Sequence, residues 1–373
     1  MQVTALSVVK QRIQVGVPLP FNVRNADKTL LLARGQTVGS QAQLDALFER
    51  GALVDMAELQ TAAEQALQAP RDQLPRLWSQ NMVRVGMALQ DAPHEGFTGA
   101  LDDAAKPVLS LIERDPDLAI FQVLRHEGGA QMAYGARRSV HTAITAYLVA
   151  QRLGWEASDM ERVFKVALTS NISMLALQGQ LSKQTTAPTR EQLADLQSHP
   201  LRSVQMLALA GVKDPDWLGA VASHHEREDG SGYPSGCTDV SDIASLVRRA
   251  DVYTSKLASR SQRDALAADQ AGRQMFMEDP GHPMTAALVK EFGIYPPGCH
   301  VRLKNGALAI VVQRGPTVAT PIVACLTNER GVPLPAPVRI ETNSASHGVA
   351  AIVAERSVNV SITADKLMAL VAR

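Results

Sequence analysis

From about residue 136 to 295 apolar residues recur at intervals of three and four, a spacing that predicts an almost wholly helical span. In SVHTAITAYLVAQRLG, Val140, Ile144 and Leu148 share one face, and Gly154 marks the stop. Ser158 with Glu161 and Thr189 with Gln192 read as capping boxes, the second opening a helix expected to run to His199-Pro200. Asp214-Pro215 starts a helix leading directly to His224 and His225, and IASLVRRADVYTSKLA forms another. Upstream, residues 61–90 and 96–126 read as helical with a break at DAPHEG, and Asp115-Pro116 is a further helix start. Residues 1 to about 60 mix short β-branched runs and turns with one helix, which Ser40 and Gln43 open and Gly51 stops. After YPPG at 295–298 the period shortens. Asn305-Gly306 lies between alternating apolar runs as a hairpin signal, and short strands are expected around 318–326, 349–354 and 358–362, with a last helix near 364–371.

These elements give a mainly α protein with small flanking units. The expected divisions are a strand-helix unit over 1–60, a helical connector over 61–125, a helical domain over 126–298 and a β-rich unit over 299–373. A chain of 373 residues is too long for a typical single core. Aromatics make up only 4 % of it, which favours helices over a sheet-rich sandwich. Lys+Arg and Asp+Glu both number 37, so no net charge draws the protein toward nucleic acid or membrane. Any anion binding must then come from a local basic cluster. Cys237, Cys299 and Cys325 are odd in number and widely spaced, which suggests no disulfide framework. The N-terminus lacks the apolar core of a secretory signal, and no apolar run reaches membrane-spanning length. The expectation is a soluble, cytoplasmic protein.

Candidate chemistry gathers on histidines. His141, His199, His224 and His225 fall on separate predicted helices or at their ends, and Asp251 falls on the next. Imidazoles and a carboxylate converging from several helices are what a metal site in a bundle core needs. Single histidines in helices also serve as satisfied core or surface residues. The His-His pair joined to DGSGYP stands apart from that bland pattern.

The stretch HHEREDGSGYPSG resembles the signature of the HD-GYP domain, a bacterial branch of the HD phosphohydrolase superfamily. The resemblance extends from about 110 to 300 and includes DPDLAIFQVL, RADVY, ASRSQRDALAADQAG and FGIYPPGCHVRLKNGALAIVV. It implies an HD-GYP helical bundle whose active members hydrolyse cyclic di-GMP with two or three metal ions, often iron or manganese. The implied metal ligands are His141, His199, His224, His225 and Asp251. The name-giving pair, in a segment that usually reads Leu-His-Asp-Ile-Gly-Lys, is here LTSNISM. Aligned on Ile172, Ser170 and Asn171 replace the His and Asp, Ser173 replaces the glycine and Met174 the catalytic lysine. Four residues before His141, where some members carry an acidic third-metal ligand, stands Arg137.

An amide oxygen bridges divalent ions poorly, and losing the bridging aspartate should remove the two-metal clamp. Met174 removes a cation that would stabilise developing phosphate charge. No catalytic residue is therefore assigned. His199, His224 and His225 remain as a possible single site for one Fe, Mn or Zn ion, with His141 and Asp251 as the remnant of a second. The alternative is that these histidines hydrogen-bond within the bundle and hold no ion. The resemblance further implies ligand contacts at Gly232, Tyr233, Pro234, Arg260 and Arg263, with Gly230 and Gly232 allowing the loop a close approach. Arg260 and Arg263 read equally well as solvated cations at a helix end.

Three functions follow from this reading. The first is a catalytically degenerate HD-GYP signalling protein, an adaptor or effector that binds a protein partner, such as a GGDEF-type cyclase, with or without cyclic di-GMP. The second is an active phosphodiesterase with a rearranged metal site, and the third is a structural interaction module without ligand. A homodimer is compatible with all three.

Overall fold

A computed structural model describes residues 2–125, 132–261, 263–360 and 364–371. The expected start of the helical domain at 126, Gln262 within ASRSQRDALAADQAG and positions 361–362 of the last expected strand lie outside them. The chain divides into two units, Met1–Ala69 and Pro70–Arg373.

In the first unit, β1 (Val3–Ala5), β2 (Val23–Arg24), β3 (Leu30–Leu32), α1 (Gln41–Glu49), β4 (Leu53–Asp55), α2 (Met56–Leu59) and α3 (Ala62–Gln68) follow in order. The strands form an antiparallel sheet in the order β1-β4-β2-β3 around Leu6, Phe21, Val23, Val38 and Val54. Ser40 caps α1 by accepting from the Gln43 N–H at 3.2 Å, while the Gln43 side chain accepts from Gly39 N–H at 2.8 Å.

The second unit is mainly α. Its helices are α4 (Leu74–Gln90), α5 (Phe97–Arg114), α6 (Pro116–Leu124), α7 (Tyr134–Leu153), α8 (Ala157–Thr169), α9 (Leu175–Lys183), α10 (Arg190–Leu209), α11 (Pro215–Ser223), α12 (Asp242–Leu257), α13 (Ala268–Glu278) and α14 (Pro283–Phe292). A run of apolar and small residues lets α7 sit at the centre, where it packs on α8, α9, α12, α14, α4 and α6. Gly154 ends it in the left-handed conformation at φ 74°. Asp115 divides α5 from α6, its carboxylate accepting from Leu118 N–H at 3.0 Å.

Three helix boundaries differ from the sequence reading, the first where residues 69–73 divide the expected 61–90 span into α3 and α4. Glu156 caps α8, so Ser158 lies inside the helix and forms no capping box. Helix α10 opens on the expected Thr189–Gln192 box but runs on through Pro200 to Leu209. Proline tolerates this position because the carbonyl it leaves without an N–H, that of Leu196, accepts from His199 Nδ1 at 2.6 Å.

Strands β5 (His300–Leu303), β6 (Leu308–Gln313), β7 (Ile322–Thr327), β8 (Pro333–Glu341) and β9 (Val349–Val353) make a second antiparallel sheet in the order β8-β7-β6-β5-β9, followed by α15 (Ala364–Val371). The Asn305-Gly306 hairpin joins β5 to β6, with Gly306 at φ 92°. Residues 358–360 are not a strand. β8 was not anticipated, because PLPAPVRIE carries three prolines. It pairs on one side only, and an edge strand tolerates a residue that cannot donate. Arg314, just past β6, bonds Asp117 on α6 and the Glu291 carboxylate on α14 (2.7 Å to the latter), which fixes the sheet to the helices.

Gly135, near the start of α7, tests how closely the bundle is packed around the site. A Cβ there would lie 2.4 Å from the Leu175 carbonyl oxygen and 2.7 Å from its Cα. In a free helix alanine is better than glycine by about 1 kcal/mol, but overpacking against backbone costs about 1–3 kcal/mol and decides the sign. Gly135→Ala is expected to lower unfolding free energy in a urea titration, whereas Gly154→Asn at the exposed C-cap should change it little.

Candidate functional site

Two elements converge on one group of imidazoles. His199 lies midway along α10, and His224 and His225 follow the last residue of α11. The rings of His199 and His224 lie 5.1 Å apart, those of His199 and His225 5.0 Å, and those of His224 and His225 4.2 Å. Nδ1 of His199 meets the Leu196 carbonyl at 2.6 Å, and Nδ1 of His224 meets the Val221 carbonyl at 2.7 Å. A carbonyl can only accept, so both rings carry their proton on Nδ1 and a lone pair on Nε2. Those two Nε2 atoms face each other at 3.1 Å. Facing lone pairs at that distance repel unless a cation or proton lies between them. Burial, reinforced by the neighbouring imidazoles, pushes the pKa of all three rings down to about 3. Protons are therefore disfavoured at neutral pH, and the donor set fits one divalent ion. Among the described residues, this is the one group of three side chains placed to hold a metal.

The other expected ligands do not join it. Asp251, on α12, is held by Arg138 of α7, whose Nη2 lies 2.7 Å from Oδ1 and 3.2 Å from the backbone carbonyl. Asn171 Nδ2 and Thr142 Oγ1 approach the same Oδ1, each at 3.5 Å. Ser170 is fully buried and turned to the Ala167 carbonyl at 3.4 Å. His141 is buried in α7 outside the histidine group. The charge at this place is thus Arg138 rather than Arg137, whose guanidinium lies over the Tyr134 ring at 5.9 Å. Ser173 ties the 170–174 turn to α10, bonding the His199 carbonyl and Ser203 Oγ, each at 3.0 Å.

Beside the histidines opens a cavity of about 410 Å³, within the range of small-molecule sites. Tyr233 forms one wall and stacks on His225, with centroids 4.6 Å apart and planes 16° apart. Met174 lies on the lining. Arg138, Arg260 and Arg263 supply three guanidiniums, and Asp251 a carboxylate. Arg260 and Arg263 are both fastened to Ser255 near the end of α12, Arg260 through Ser255 Oγ at 2.9 Å and Arg263 through the backbone carbonyl. They occupy a helix end and line the cavity at once.

The glycine loop is built by internal packing. A Cβ on Gly232 would lie 2.4 Å from Glu226 Cα and 2.5 Å from Arg227 N, so the close approach that demands glycine is to the protein's own chain. The buried Glu226 fastens the loop through Oε1, which accepts from Ser235 N–H at 2.6 Å and Gly236 N–H at 3.1 Å. Sequence reasoning missed Glu226, Tyr134 and Arg138. Only Arg138 had a local signal, being one helical turn before His141.

Residues 128–278 match the family described as HD domain. The cyclic di-GMP phosphodiesterase PA4108 of Pseudomonas aeruginosa is 27 % identical over 263 residues, which cover 68 % of this chain and 60 % of that protein. The cyclic di-GMP phosphodiesterase response regulator RpfG of Xanthomonas campestris pv. campestris is 26 % identical over 163 residues, 43 % of this chain and 42 % of the relative. The chain therefore spans less than two thirds of the length of either. Among solved structures, Bd1817 of Bdellovibrio bacteriovorus, described as an HDG"Y"P protein, is similar with a TM-score of 0.47 and 15 % identity, over 78 % of this chain and 98 % of that one. No described helix is long and apolar enough to cross a membrane. Residues 128–278 thus form a region similar to HD domains, within a longer stretch similar to a protein named as a cyclic di-GMP phosphodiesterase.

Proposed function

We propose that the protein is a hydrolytically silent HD-GYP signalling protein that binds cyclic di-GMP in the cytoplasm and acts as an adaptor or effector. The observation that carries this reading is the Arg138–Asp251 ion pair beside Ser170 and Asn171. Two-metal phosphodiester hydrolysis needs ions about 3.5–4 Å apart, held by shared anionic ligands. The carboxylate left for a second ion is already neutralised by a guanidinium, and a neutral amide and a hydroxyl stand where the family's His-Asp pair would stand. An ion held by His199, His224 and His225 would supply positive charge at the cavity edge. The remaining work falls to the chain's own residues: Tyr233 offers a face for a base, and the arginines offer N–H donors to phosphate oxygens. The relatives named as cyclic di-GMP phosphodiesterases make that nucleotide the ligand to test. Occupancy of the cavity would then be passed to a protein partner, such as a GGDEF-type cyclase.

The intact histidine group supports one competing reading, an active phosphodiesterase with a rearranged metal site. Two measurements test the metal site that both readings share, and a third, of cleavage, separates them. Metal analysis of the purified protein should find about one divalent ion per chain, reduced at least about tenfold in His224→Ala. The ligands must be neutral to bind, and their pKa of about 3 keeps them so well below the usual histidine value near 6.5. The ion should accordingly remain bound on dialysis at pH 5.5, where ordinary histidines are mostly protonated. With Mn²⁺ or Fe²⁺ added, cyclic di-GMP should bind saturably and remain uncleaved. Hydrolysis that His224→Ala abolishes would establish the active enzyme instead, and no binding at high micromolar nucleotide would leave an interaction module.

A further inference from the structure

We infer that Arg138 replaces the second metal ion as the cation that receives a phosphate group in this cavity. The inference rests on the reading of the cavity as a cyclic dinucleotide site and assigns it a recognition residue. Arg138 is 6 % exposed, yet only part of its guanidinium is used. Nη2 pairs with Asp251, while Nε is buried without any hydrogen-bond partner. An unsatisfied buried N–H is costly, and a functional site is one place where such a deficit is expected. Arg260, on the same cavity, likewise has its Nη2 held by Ser255 and its Nε without a partner, a deficit that arginines outside the cavity also show. Each arginine is thus anchored through one nitrogen and keeps donor capacity for an acceptor the protein does not provide.

Charge points the same way. Around the cavity three guanidiniums face one carboxylate, leaving two positive charges, and a cyclic dinucleotide carries two phosphodiester negative charges. A guanidinium is always protonated and cannot be removed by a chelator, so phosphate binding at this end should not depend on metal. It also offers no activated water, so the same substitution that secures binding withholds a nucleophile.

The experiment is a titration of fluorescent cyclic di-GMP into the full chain with and without EDTA, comparing wild type with Arg138→Gln combined with Asp251→Asn. The double variant removes both charges, so no lone buried charge remains to unfold the protein. Arg138→Lys keeps the charge and the Asp251 partner but loses the planar fork, giving a second variant that holds the fold. We expect wild-type binding to persist in EDTA, weakened at most by the charge of an ion lost from the histidines, and affinity to fall at least about tenfold in the double variant and severalfold in the lysine variant under both conditions. Variants that bind as tightly as wild type would overturn the role of Arg138 while leaving the nucleotide reading intact. Loss of wild-type binding in EDTA would overturn it in favour of a metal as the phosphate holder. A wild type that binds in neither condition would remove the nucleotide reading itself, and this assignment with it.

Discussion

Every residue of α7 from Arg138 to Ala150 is buried, and a guanidinium in such a place has to meet a counter-charge. It finds Asp251 on α12, 113 residues away in sequence. That pair decides what the cavity can be. It pins α7 to α12, fixes which oxygen Thr142 and Asn171 approach, and occupies the carboxylate of Asp251 with a guanidinium. Removing one partner of such a pair typically costs about 3–5 kcal/mol, because it strands the other charge. The pair therefore resists reversion by any single change. Placing an aspartate at 171 would also set another carboxylate beside Asp251 without freeing Asp251 from Arg138.

The histidine group survives next to this altered half because it is oriented by different means. Two of its rings are set by backbone carbonyls: Leu196, left without an N–H partner by Pro200, and Val221 at the end of α11. Neither orientation uses Asp251, Asn171 or Arg138. The Nε2 atoms stay directed at each other whatever happens at the neighbouring position, and Tyr233 stacks on the third ring. Second-shell hydrogen bonds that fix tautomer and ring plane are what metal-binding histidines require. Here the backbone provides them for His199 and His224.

The parts of this arrangement that lie close together in sequence were legible there. The Thr189–Gln192 box, Asp115-Pro116, Gly154 and the Asn305-Gly306 hairpin each act within four residues, and the histidines and Tyr233 announced themselves through one motif. What the sequence hid was non-local or ambiguous in spacing. Arg137 and Arg138 lie four and three residues before His141, and both spacings share a helix face, so only the fold shows which one reaches Asp251. Pro200 reads as a helix stop unless the partner of Leu196 is known. The prolines of 333–341 hide a strand whose edge position is a property of the whole sheet. Gly232 reads as a ligand approach, whereas its constraint is the Glu226–Arg227 backbone.

Binding and hydrolysis make different demands on such a site. Turnover requires interactions stronger in the transition state than in the ground state, aimed at a pentacoordinate phosphorus and an attacking oxygen. A guanidinium anchored to Asp251, a tyrosine stacked on His225 and arginines fastened to Ser255 are fixed in place before any ligand arrives, and each suits a ground-state diester. Preorganised groups of this kind lower the entropy lost on binding without activating a nucleophile. The loop carrying Tyr233 is likewise closed by Glu226 rather than by a metal ligand. On the proposed reading the recognition apparatus therefore persists because its supports never included the residues at 170 and 171. On the same reading hydrolysis is absent because its supports did.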